Sequence, residues 1–470
     1  MDAKHSKTLG LLGGFLIGDA MGAPFNGIKA GHIQQVADGR VDGFIASDKP
    51  ILFPEKPSQN RYPGLHTAHG QALLAVVAGS VDDQSGQHPV SRTAARLKDL
   101  AGDGDAAHHT LGALRGLGKP LMRSLARWNA EYPWEPQDHF APSEVSEGAS
   151  PCAMAVACAA VEGGDPIEYA RLTHTKEASL VAAWTIWKAA RLLLAEENPK
   201  KPDAAGIVRQ LHEGARALED ELRQGDIAGT WQALGWGRTP VKRFSDCLEP
   251  LKTMLELNDD NVAEKTIINT AGDYSPDRNV THVQHGFAAA LVPWVLYRAL
   301  GPMNPAHAIE DAVNRGGETS LAAGLIGALQ GARWGNEHLP DEWTGGCHGY
   351  RTAQFFLDNI SENAVEAWLA DERRWTDLEQ SMQAPIRNQF DKAKASSPPK
   401  KKKPKSSGPD PHIHSFTTQE ERHQAEVAAA LEDEDLDPRE KKRLKTERGK
   451  KRISWKDQRG IKPRDGFDEE

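Results

Sequence analysis

From Leu9 to about Phe390 the chain alternates alanine-rich apolar stretches with breaks at Gly, Pro and Asn, and period-two alternation is scarce. In "EASLVAAWTIWKAARLLLAEE", Glu177 to Glu197, the residues Leu180, Ala183, Trp184, Trp187, Ala190, Leu193 and Leu194 recur at steps of three and four. That spacing predicts a helix with one apolar face. "GFAAALVPWVLYRAL" and "SLAAGLIGALQGARWG" behave alike, and their alanines and glycines let helix backbones approach closely. In "GLHTAHGQALLAV", Gly64 to Val76, a turn feeds a helix whose apolar face starts at Gln71 to Leu74. The pattern predicts an all-α, compact helical bundle over residues 1–390.

Charge divides the chain. The overall balance is -9, with 39% hydrophobic and 26% charged residues, but the part up to Phe390 is clearly acidic and the remainder is net basic. "KAKASSPPKKKKPKSSGPDP" cannot bury enough apolar area to offset its ordering entropy, so residues 391–470 are expected to be a mostly disordered tail. One short helix is expected at 417–436, capped by Thr417 or Thr418. The modest net charge and the few interleaved aromatics give no nucleic-acid signal. Cys152, Cys158, Cys247 and Cys347 form no CxxC pair, which favours a reducing, intracellular setting, cytoplasmic or nuclear. Lys4 and Lys7 ahead of "TLGLLGGFLIG" imitate a secretory signal, but Asp19 interrupts the run and it is too short to span a bilayer. No membrane partner is expected.

Three segments carry a resemblance. "GFLIGDAMGAP", Gly14 to Pro24, is close to a GDALGAP helix and turn. "GLHTAHGQ" fits G-x-W-T-D-D-T at Gly64 and Thr67, with Gln71 following. "AVNRGGETSLAAGLIGALQGARWGNEHLPDEW", Ala312 to Trp343, fits a GGDTDT segment at Gly316, Gly317 and Thr319. "EGASPCAMAVACAA", with Cys152 where arginine is usual, and "LTHTKEASLVAA" add weaker support in the same order. Together they resemble the ADP-ribosylglycohydrolase family over most of the chain up to about Trp343. The resemblance implies an orthogonal helical bundle around a two-magnesium cleft. There, two aspartates from each loop hold the metals, and the metals hold ribose hydroxyls and present water to the anomeric carbon.

The departures fall on the chemistry. Ala68, His69 and Gly70 stand where Asp, Asp and Thr are usual; Glu318, Ser320 and Leu321 stand for Asp, Asp and Thr. The degenerate metal positions are thus Thr67, His69, Glu318 and Ser320, with one carboxylate to face four positive charges. No metal cofactor is expected, and magnesium or manganese only if turnover survives; a single softer ion on His69 and Glu318 is the alternative. Asn26 replaces a glutamate often found after GDALGAP and cannot act as a base. Asp19, Asp38 and Asp273 read as cap or surface residues, with relocated metal ligands as the alternative. On the nucleotide side the ligand-binding set is Asp19, Asn26, Gly148, Ser150, Gly316 and Gly317, the glycines offering backbone donors to phosphate or ribose. His174 reads as a packing histidine.

In the tail, "PPKKKKPK" suits nuclear import receptors or a solvated linker. "KKRISWKDQRG" resembles the motif by which regulatory subunits dock on protein phosphatase 1, with Arg452, Ile453 and Trp455 as anchors. The sequence therefore predicts a catalytically impaired pseudoenzyme that binds ADP-ribose or an ADP-ribosylated protein or serves as a scaffold. The alternatives are an active hydrolase with remodelled ligands and a protein phosphatase 1 regulatory subunit.

Overall fold

The computed structural model describes residues 2–45, 52–81, 87–102, 111–116, 118–129, 146–161, 164–225 and 242–396. The expected tail helix at 417–436 and the docking motif lie outside them. In chain order the helices are α1 (Ala3–Gly22), α2 (Ala30–Val36), α3 (Ala68–Gly79), α4 (Pro89–Ala101), α5 (Lys119–Asn129), α6 (Cys152–Ala160), α7 (Pro166–Arg171), α8 (Glu177–Ala195) and α9 (Ala204–Gln224). There follow α10 (Leu251–Leu257), α11 (Asp260–Tyr274), α12 (Ala288–Leu300), α13 (Pro305–Arg315), α14 (Thr319–Trp334), α15 (Asp341–Gly346), α16 (His348–Asn359) and α17 (Glu362–Ser396). Among the described residues the only paired strands are β1 (Ile28–Lys29) and β2 (Gly316–Gly317), so the expected all-α class holds.

The core is organised on α1 and α14. Gly10, Gly14, Gly18 and Gly22 fall one turn apart on α1 and face the backbone of α14. A Cβ on Gly14 would overlap the carbonyl of Gly327, and one on Gly331 would overlap the carbonyl of Gly10. The two helices therefore touch main chain to main chain, and both are almost wholly buried. Contrary to the expectation that the N-terminal run is too short to span a bilayer, Ala3–Phe25 is long and apolar enough to cross one, as is Glu177–Ala195, yet 94% and 61% of their apolar windows are buried inside the protein.

Two expectations need correction. Helix α8 is packed by α6, α7, α9, α12 and α14, so its buried surface wraps most of the way round and includes Val181, Ile186 and Ala189. Trp184, Trp187 and Leu194 of the predicted face lie only at its edge, half-buried. Helix α3 starts at Ala68 rather than Gln71, because Thr67 caps it: the Thr67 hydroxyl accepts from His69 N at 3.1 Å. The last helix runs to Ser396.

Helix α17 enters with apolar residues, Ala364, Val365, Trp368 and Leu369, and continues with a buried polar row: Glu372, Thr376, Glu379 and Gln383. Each finds a partner. Glu372 accepts from Gln71 Nε2 at 2.7 Å and Trp368 Nε1 at 3.1 Å, and pairs with Arg115 at 2.7 Å and His66 at 3.1 Å. Thr376 donates to Ala113 O, and Gln383 to Asn60 O. These bonds hold α17 on the loops that precede α3 and α5.

Candidate functional site

A cavity of about 700 Å³ collects most of the residues that the sequence singled out. Asn26, Thr67, His69, Ser150, Glu318 and Ser320 all line it. Two local devices bring them together. β1 pairs antiparallel with β2, Ile28 opposite Gly317 and Lys29 opposite Gly316, which sets the turn after α1 beside the loop before α14. Asn26 Nδ2 then donates to Glu318 Oε2 at 3.1 Å, Ser320 Oγ lies 3.5 Å from Asn26 Oδ1, and Gln59 Nε2 donates to Asn26 O at 2.7 Å. Glu318 N donates to Gln284 O at 2.8 Å, which fixes the carboxylate beside Gly286.

The second device is Asp19. It is fully buried in α1 and accepts from Thr67 N at 2.8 Å, Thr67 Oγ1 at 2.8 Å and Gly70 N at 3.1 Å. Three hydrogen bonds to one carboxylate anchor the start of α3. Asp19 does not line the cavity, so its expected ligand contact is replaced by a positioning role. His69 Nδ1 sits 3.3 Å from Thr67 Oγ1, and Ser150 Oγ 3.4 Å from His174 Nε2. His174 is held neutral: burial, with His69 nearby, pushes it down to about 3, and its Nδ1 lies 2.9 Å from Thr173 Oγ1.

The glycines expected to bind ligand serve the fold. Gly316 and Gly317 both have φ of +79°, and a Cβ on either would meet backbone of Ile28 or Gln284. Gly316 O accepts from Gln284 Nε2, Gly317 O from Gly27 N, and neither glycine lines the cavity. Gly148 N is directed at Ser146 Oγ at 3.4 Å, and Ala149 N donates to Gly286 O, so these donors are turned inward. Asp38 and Asp273 are exposed and stand away from the cavity lining. Cys152, in the place of the family arginine, is buried in α6, and burial pushes its thiol upward.

Other lining residues were not singled out from the sequence. Arg61, Gln59, Ser58 and Lys56 come from the segment before α3; Glu379, Gln383 and Phe390 come from α17. The "QNRYPG" segment ahead of the turn carried the one available signal, a lone cation beside a motif. Nothing marked Glu379, because a polar residue on a long charged helix reads as solvated.

A sequence profile of the ADP-ribosylglycohydrolase family matches residues 1–379. The chain belongs to that family. A solved structure described as an "ADP-ribosylglycohydrolase-related protein complex" is similar, with 16% identity and a TM-score of 0.46 over 76% of this chain and 97% of that one. No curated protein matches.

The donor set of this ADP-ribosylglycohydrolase-family chain does not fit two magnesium ions. Glu318 is the one carboxylate among the degenerate metal positions, and one of its oxygens is already taken by the Asn26 amide. Among the described residues no three His, Cys, Asp or Glu side chains converge as a metal cluster. Two divalent ions at ~4 Å separation need several carboxylates to offset their repulsion. The neutral oxygens of Thr67 and Ser320 and the His69 imidazole do not supply that charge.

Proposed function

We propose that the domain is a catalytically impaired member of its family that binds ADP-ribose, free or attached to protein, without a metal. The observation that carries this reading is the Asn26–Glu318 hydrogen bond. Where hydrolysis calls for carboxylates that hold metals and place a water, the positions of the two metal loops keep one carboxylate, Glu318, tied to an amide, and an amide cannot take a proton from water. The cavity itself is intact and large enough for a nucleotide sugar, and its walls offer hydroxyl, amide and imidazole groups suited to ribose.

Calorimetric titration of the full chain with ADP-ribose, in EDTA and again with magnesium or manganese, tests this together with a turnover assay on an ADP-ribosylated peptide. The expected result is binding that EDTA leaves unchanged and no release of ADP-ribose. Release that depends on a divalent ion and is lost in Glu318→Gln would establish the hydrolase alternative instead.

A second reading concerns the tail and coexists with the first. Ile453 and Trp455 are apolar anchors spaced two apart behind Lys450, Lys451 and Arg452 in a charged segment, a pattern that suits docking of an extended strand on protein phosphatase 1. The double change Ile453→Ala, Trp455→Ala is expected to abolish co-purification with the phosphatase.

A further inference from the structure

Five arginines are buried among the described residues: Arg61, Arg92, Arg115, Arg298 and Arg333. Four of them donate hydrogen bonds to the protein, although Arg115 Nη2, which is ion-paired, and Arg298 Nε also lack a hydrogen bond. Arg115 donates to His66 O, Glu372 O and Thr376 Oγ1 besides its ion pair, and Arg333 donates to the carbonyls of Pro199, Ala299 and Gly301. Arg92 donates to Gly79 O and Arg298 to Asp260. Arg61 differs. Its one contact is ionic, Nε to Glu379 Oε1 at 3.0 Å, and that oxygen also accepts from Tyr62 N at 3.0 Å. Nε and Nη2 are buried with no hydrogen-bond partner, although a guanidinium carries five donors and buried donors are almost always satisfied.

Arg61 is also the only one of the five that lines the cavity. Its place there is fixed by Gly116, where an added Cβ would stand 3.3 Å from Arg61 Nη1 and 3.5 Å from Thr67 Cβ. The guanidinium thus lies at the Thr67 corner, beside the degenerate metal loop. Lys56 and Ser58 of the same segment face the cavity as well, as does Glu55. Glu55, Glu318 and Glu379 also line the cavity and Glu379 is the ion-pair partner of Arg61, so the pull on an anion is local to the guanidinium.

We infer that Arg61 is the anion-binding group of this cavity and takes a phosphate oxygen of a nucleoside-diphosphate ligand, with Glu379 as the resident counter-ion on its Nε edge. A phosphate oxygen is a charge-assisted acceptor for Nη1, the guanidinium nitrogen that faces Gly116. This deepens the ADP-ribose reading and rests on it for the ligand; the charge chemistry stands on Arg61 itself.

The test uses the full chain, with inorganic pyrophosphate and ADP-ribose titrated separately by calorimetry. Wild type is expected to bind both, and Arg61→Gln to lose at least tenfold affinity for both. Because Arg61→Gln leaves Glu379 buried without its cation, the double change Arg61→Gln, Glu379→Gln serves as the folded partner. It is expected to keep the wild-type far-UV spectrum and the same loss of affinity. Glu379→Gln alone keeps the cation, removes its competitor and is expected to tighten pyrophosphate binding. If wild type binds pyrophosphate through Arg61 but not ADP-ribose, the inference stands and the ADP-ribose reading falls. ADP-ribose binding that the folded double variant leaves unchanged overturns the inference and spares that reading. Absence of pyrophosphate binding in the wild type overturns the inference whatever the variants do.

Discussion

Helices α1 and α14 meet largely main chain to main chain, whereas α17 is held on its neighbours by buried polar side chains. In the first contact Gly14, Gly18 and Gly22 bring main chain against main chain, and the fit is a matter of volume. In the second, Glu372, Thr376, Glu379 and Gln383 are buried polar groups that each require a partner of the right kind. A contact made by exclusion is indifferent to what the loops at its ends carry. That is why Asp19 and the Gly316–Gly317 turn still place residues 67–70 and 318–320 around one cavity after the carboxylates there have changed. A contact made by hydrogen bonds is chemically specific, and the unsatisfied cation Arg61 is found on that side.

The comparison breaks first, and most severely, at Gly14. In Gly14→Leu the side chain must displace the Gly327 carbonyl, and a helix backbone cannot rotate away as a core side chain can. The cost exceeds the ~1–3 kcal/mol of ordinary overpacking, against a total stability on the order of 5–15 kcal/mol. The expected outcome is insoluble protein with no cooperative melt. A soluble variant that melts near the wild-type temperature would show that the two helices can separate.

Next in size is Glu372→Ala. It strands the buried Arg115 and His66, a loss of about 3–5 kcal/mol. Burial pushes the Glu372 carboxyl upward, but Arg115, His66 and the hydrogen bonds outweigh it and hold it well below the usual carboxylate range. The folded state therefore binds fewer protons than the unfolded state once the pH falls below the ordinary glutamate range. The stabilisation is complete above that range, declines as pH falls below it and is gone only once the pH falls through the lowered folded-state value. Denaturant titrations at pH 7 and pH 3 are expected to show the gap between wild type and Glu372→Ala narrowing at pH 3; a constant gap would mean that Glu372 acts through packing alone.

The two contacts also differ in how far the sequence revealed them. Small residues at four-residue spacing in "GLLGGFLIGDAMG" and "SLAAGLIGALQGARWG" signal close helices directly, since glycine on two facing apolar stretches has few other uses. The turn at Thr67 and the loop at Glu318 were legible for a different reason, the family motifs that they resemble. The polar row of α17 was not legible, because glutamate, threonine and glutamine at helical spacing read as a solvated face, and partners far away in sequence, among them Gln71 of α3 and Arg115 and Arg61 on loops, turn it inward. Asp19 was open to two readings, a ligand in a resembling motif or a group that orients its neighbours, and its backbone and hydroxyl donors favour the second. Burial and partner, neither of which one sequence displays, separate the two cases.

The smallest predicted effect uses the same residue type with the opposite sign. Gly272 lies inside α11, and an added Cβ there would meet nothing within 4 Å. With no steric demand for glycine, Gly272→Ala lowers the entropy of the unfolded chain and is expected to raise stability by about 0.5–1 kcal/mol. Urea titration should show a higher midpoint at unchanged slope. Set beside Gly14→Leu, this isolates the cause: glycine is required on α1 by the backbone opposite it, not by any need of the helix itself. A destabilised Gly272→Ala would place an unrecognised neighbour against α11 and weaken the claim that α1 and α14 are special.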